Sequence, residues 1–69
     1  MAARKLLRKA YLDYRGYEEH PDYLFTWDEN NGCYVEFRHS GNGEYHGMDV
    51  TTTREYNRIY KYVKEKYRK

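Results

Sequence analysis

Apolar and polar positions change rhythm along this chain, and each rhythm predicts an element. Leu6, Leu7, Ala10, Tyr11 and Tyr14 recur at spacings of one, three and four, the single apolar stripe of an amphipathic helix over about residues 3–15. Arg4, Lys5 and Arg8 fall mostly off that stripe. Gly16 is a helix stop, and Pro21 favours extended chain before it. The period then shortens to two. Tyr23, Phe25 and Trp27 alternate in one run, Cys33, Val35 and Phe37 in a second, and Met48 and Val50 in a third. These runs predict strands over about 23–28, 33–39 and 44–50. From residue 53 the helical period returns, with Tyr56, Ile59, Tyr60, Val63 and Tyr67 on one stripe to about residue 67. Thr52 and Glu55 have capping-box spacing, and Lys66, Arg68 and Lys69 suit the negative end of the helix dipole.

Register follows from the same pattern. The first two apolar runs share a face if Trp27 lies opposite Val35, which leaves a three-residue loop, Asn30-Asn31-Gly32, with Gly32 at its left-handed position. Gly41, Asn42 and Gly43 are the residues a tight second turn needs. An even loop there keeps Phe37 and Met48 on one face and brings His39 and His46 onto it as well. The expectation is one α+β domain spanning residues 1–69 in the order α-β-β-β-α, an antiparallel meander with both helices packed on one face. Its other face would be open, showing Leu24, Thr26, Asp28, Tyr34, Glu36, Arg38, Tyr45 and Asp49.

Composition sharpens this picture. With 69 residues, 39% hydrophobic and 35% charged, the core must be thin, and ten tyrosines supply much of its apolar area. A single cysteine, Cys33, excludes an intrachain disulfide and the four-cysteine or two-cysteine, two-histidine zinc sites. Lacking such staples, the domain is expected to gain stability from a partner or a second copy. No apolar run approaches the ~20 residues of a membrane span, and the stretch "MAARKLLRKA" lacks a signal-peptide apolar region. A soluble cytoplasmic protein without cofactor or resident metal is the expectation.

Charge points to partners. Net charge is only +2, yet residues 16–50 hold eight acidic residues against Arg38 alone, and twelve of the thirteen basic residues lie in the two helical segments. Lys and Arg on helical surfaces are the electrostatic footprint of phosphate contacts. The leading expectation is therefore a small non-enzymatic nucleic-acid-binding module. Arg4, Lys5, Arg8, Arg58, Lys61, Lys64 and Arg68 would contact phosphates, with Tyr34, Arg38 and Tyr45 as a secondary set for stacking and charge.

Two other readings compete with it. A protein-binding module, such as a phage-type inhibitor or accessory subunit, would dock on a larger complex by charge and tyrosine contacts, and the basic-acidic-basic alternation also suits a homodimer. His39 and His46 could act as general base and acid in RNA cleavage. A metal site joining Cys33 to His39 is excluded by about 20 Å of extended strand between them. In topology alone, residues 23–67 resemble the arm-type DNA-binding domains of phage integrases and the plant ethylene-response-factor domains. That resemblance implies groove reading by the open sheet face, where Asp28, Glu36 and Asp49 would meet phosphates, so the helices are the better candidates here.

Overall fold

The computed structural model describes residues 3–69, with side chains from Arg4 onward. The amphipathic start forms α1 (Ala3–Asp13). Strands β1 (Tyr23–Asp28), β2 (Cys33–Gly41) and β3 (Glu44–Asp49) make one antiparallel sheet in the order β1-β2-β3. Two short helices follow, α2 (Thr53–Arg58) and α3 (Lys61–Tyr67). The α+β meander is as the sequence predicts.

The first turn differs by one residue, and the difference propagates. Asp28 pairs with Cys33, so the loop is residues 29–32 rather than three residues. The Asp28 carboxylate accepts hydrogen bonds from the amides of Asn30 (3.0 Å) and Asn31 (3.3 Å) and from Asn31 Nδ2 (2.8 Å). Its carbonyl accepts from the amide of Gly32 at 2.8 Å. These bonds favour the longer loop, while Gly32 still takes the expected left-handed position at φ 64°. Trp27 consequently faces Tyr34, not Val35. A shift of one residue exchanges faces throughout the hairpin. Tyr23, Phe25 and Trp27 share a face with Tyr34, Glu36 and Arg38, while Leu24, Thr26 and Asp28 share the other with Cys33, Val35 and Phe37.

Both faces are covered. Leu24 (0% exposed) packs with Ala10, Val35 and Phe37 under Leu6, Leu7 and Tyr11 of α1. Phe25 (1% exposed) packs on the opposite face with Tyr34, Ile59 and Val63. Successive strand residues point to opposite sides, so the apolar stripe of α1 lies across the sheet from those of α2 and α3, instead of all three sharing one face. The expected open face is lost with that arrangement: Leu24, Thr26, Asp28, Tyr34 and Glu36 are all buried. Alternation is uninformative for a strand enclosed on both sides.

The helical segments meet around the edge of β1. Asp13, at the end of α1, accepts from Thr26 Oγ1 (2.8 Å), Tyr67 Oη (2.6 Å) and Lys66 Nζ (2.6 Å). Burial pushes its carboxyl up, but the donated bonds from Lys66, Tyr67 and Thr26 outweigh burial and hold it below the usual carboxylate value.

The C-terminal helix is interrupted. Ile59 and Tyr60 are extended, at ψ 133° and 135°, where one continuous helix over 53–67 is expected. Neither glycine nor proline marks the break; tertiary contacts do. Tyr60 donates its hydroxyl to the Tyr23 carbonyl at 2.6 Å and sets its ring edge-on to Phe25 at 5.1 Å. Burial pushes that hydroxyl up to about 12. The capping box forms as predicted, with Thr52 Oγ1 accepting from the Glu55 amide and Glu55 accepting from the Thr52 amide, each at 3.1 Å.

Candidate nucleic-acid interface

Because the helices lie on opposite faces, their basic residues form two surfaces. Arg4, Lys5 and Arg8 are exposed on α1, on one side of the sheet. Arg58, Lys61, Lys64 and Arg68 lie on the α2–α3 side. Lys61 and Arg68 are exposed, and Lys64 holds its Nζ 4.7 Å above the Tyr56 ring. The single basic surface expected from the sequence is therefore divided.

On the α2 side the structure joins residues that the sequence keeps apart. Glu36 and Arg38 are two residues apart on β2 and so share a face. Arg38 Nη2 donates to one Glu36 oxygen at 3.2 Å, and Arg58 Nη2 from α2 donates to the other at 3.0 Å. The Glu36 side chain is 1% exposed, whereas those of Arg38 and Arg58 are 48% and 36% exposed. Both guanidinium carbons stand over the Tyr23 ring, at 5.5 Å and 5.6 Å. His46 is the cross-strand partner of Arg38 and lies on the same face.

The chemistry of this cluster is that of an anion fork. A buried carboxylate would be costly alone and here has a cation on each oxygen. Each guanidinium carries five N–H donors, so after one bond to Glu36 both still present donors to solvent. Two arginines and one glutamate leave a local charge of about +1. The carboxylate and the Tyr23 ring restrict both side chains, which lowers the entropy lost when an anion docks. Arg38 and Arg58 are visible in the sequence as single basic residues; their common anchor is not, because Arg58 reaches Glu36 across 22 positions.

The secondary tyrosines are placed differently from expectation. Tyr34 is buried, ringed by Trp27, Tyr56 and Tyr67, and donates to the Lys69 carbonyl at 3.5 Å. Burial pushes its hydroxyl up. Tyr45 packs beside Tyr11 and donates to the Pro21 carbonyl at 2.6 Å, and burial raises it further. Neither ring is a free stacking platform. Arg38 alone of the secondary set is exposed.

The histidines separate as well. The second turn is Asn42-Gly43, with φ 54° and 73°, the type I′ geometry, but a bulge between His39 and Gly41 shifts the register. His39 then pairs with Tyr45, and Arg38 with His46, so the two imidazoles lie on opposite faces. His39 instead stacks on His20 at 5.6 Å, and its Nε2 accepts the Gly43 amide at 3.2 Å. An acid-base pair of His39 and His46 is not assembled. Among the described residues, no three His, Cys, Asp or Glu side chains gather where they could hold an ion. No described helix is long and apolar enough to cross a membrane.

Comparison with known proteins finds no match: no family model fits the chain, and no curated protein or solved structure is significantly similar to it.

Proposed function

We propose that this protein is a small nucleic-acid-binding module that grips backbone phosphates on the α2 side of its sheet. Arg38 and Arg58 form the centre of the grip, and Lys61, Lys64 and Arg68 extend it along α3. The observation that carries this reading is the shared anchor, one buried Glu36 holding two exposed arginines from separate elements. A phosphate accepts several N–H bonds in the fork geometry that guanidinium groups offer. Arg4, Lys5 and Arg8 face the other side and serve at most a second segment of nucleic acid. The chemistry asked of the protein is binding, not cleavage, and its setting is the cell interior, where nucleic acid is met.

The test is binding to labelled duplex DNA, single-stranded DNA and RNA, each across a salt series. Micromolar binding that weakens steeply with salt is expected, because each duplex phosphate contact contributes a slope of roughly 0.9 in log K against log salt. Replacing Arg38 and Arg58 together by alanine should flatten the duplex slope by about 1.8. Lys61→Glu with Arg68→Glu leaves Glu36 paired and should also weaken binding. Arg4→Ala with Arg8→Ala should change little. If the α1 pair carries the slope, or nothing binds at low salt, the proposal fails.

A further inference from the structure

The two edges of the sheet are finished differently. Along β1, the Tyr23 carbonyl accepts the Tyr60 hydroxyl at 2.6 Å and the Trp27 carbonyl accepts Lys9 Nζ at 2.7 Å. Those side chains stand where another strand would have to pair. Among the described residues, strand β3 pairs with β2 only, and none of its six residues is buried. It contains neither lysine nor proline, the usual guards of an unpaired edge.

Beside that edge lies a cleft of about 360 Å³ between α1 and the sheet. Val35, Phe37 and Tyr45 line it from the sheet and Leu6 and Leu7 from α1, with Gly47 and Asp49 of β3 also in its wall and Arg4 and Asp28 adding one charge of each sign. Tyr45, Gly47 and Asp49 share the face of Val35 and Phe37. A fourth strand added to β3 would send every second side chain to that same face, over the cleft. Gly47 keeps the passage low. Phe37 lies so close that a Cβ at this position would sit 2.7 Å from its ring, so no larger residue fits without moving the aromatic.

Charge selects the occupant. The charged residues of β3 are Glu44 and Asp49, one at each end and both exposed. Antiparallel pairing of two copies centred between His46 and Gly47 would set Glu44 of one against Asp49 of the other. Like charges directly opposite destabilise a strand pair, so a second copy is a poor occupant. We infer that the β3 edge and its cleft bind an extended segment of a partner protein as a fourth strand, with an apolar side chain in the cleft and basic residues beside Glu44 and Asp49. This site is on the other side of the sheet from the arginine fork, apart from the shared strand, and does not depend on it.

The experiment is selection of a displayed random dodecapeptide library on the immobilised full chain, followed by binding of synthetic peptides of the enriched sequences. Enriched peptides should alternate apolar residues and carry Lys or Arg at the ends. They should slow amide hydrogen exchange across residues 44–49. Asp49→Lys, a change at an exposed position, should weaken the basic peptide at least tenfold and improve a copy whose lysines are replaced by glutamate. Leu7→Lys should abolish binding by filling the cleft with charge, while Arg38→Ala should leave it unchanged even if nucleic-acid binding is lost. The inference is overturned if no peptide is enriched or if bound peptides protect other amides. It is equally overturned if the protein sediments as a dimer with its β3 amides protected before any peptide is added.

Discussion

Strands β1 and β3 are both edges of the same sheet and both six residues long, yet four residues of β1 are buried and none of β3. The sequence YLFTWD places apolar groups on both parities, so each face of β1 can attract a helix. The sequence EYHGMD offers few such groups, and α1 meets β3 where Tyr11 packs edge-on against Tyr45. A chain of 69 residues cannot bury every strand, because its surface is large for its volume. It concentrates its core around β1 and leaves β3 with its backbone available. The same asymmetry separates burial from exposure: β1 holds the core together, and β3 stays at the surface.

The largest expected effect lies in β1. Phe25→Ala removes a fully buried ring and should cost about 4 kcal/mol, most of the stability of so small a domain, read as loss of the cooperative transition in urea. Next is Asp13→Ala, which strips Thr26, Tyr67 and Lys66 of their acceptor and should cost about 3 kcal/mol. Its pH dependence has a definite sign. Asp13 is held below its ordinary value in the folded state, so its contribution is complete above about pH 4 and is lost as pH falls through the lowered folded value. Acid unfolding of the native chain and Asp13→Asn should therefore converge at low pH and diverge toward neutrality. A constant gap across that range would contradict the network.

Strand β3 should be tolerant, with one exception that sharpens the comparison. Gly47→Ala normally relieves a strand of a weak residue, but here the added carbon meets Phe37, and a loss of about 2 kcal/mol is expected. A stabilised melt would mean that Phe37 can move aside. The smallest effect should be that of Met48→Thr, at a position 40% exposed, within about 0.5 kcal/mol of the native chain. A change of several kcal/mol there would show that β3 contributes to the core as much as β1 does.

How much of the candidate site was legible varies by residue. Arg38 and Arg58 stand out as basic residues, and the spacing of Glu36 and Arg38 places them on one face of a strand. Their union with Arg58 and Tyr23 depends on α2 crossing that face, which no local pattern states. Tyr34 looks exposed only if one face of the sheet is left open, and Tyr45 only without the bulge between His39 and Gly41. The pairing of His39 with His46 is undone by the bulge between His39 and Gly41. Asp13 and Glu36 are indistinguishable in sequence from surface acids until the groups around them are known.

Local physics was readable residue by residue: the bounds of β1, the Thr52–Glu55 capping box, the left-handed Gly32 and a tight turn among Gly41, Asn42 and Gly43 each depend on neighbours a few positions away. Which face each strand residue takes, where the last helix breaks and which cations share Glu36 are set by contacts between distant segments. A period of two specifies alternation but not direction when both sides of a strand are apolar. One extra loop residue then exchanges the faces, and only packing of the helices on both sides of the sheet decides between them.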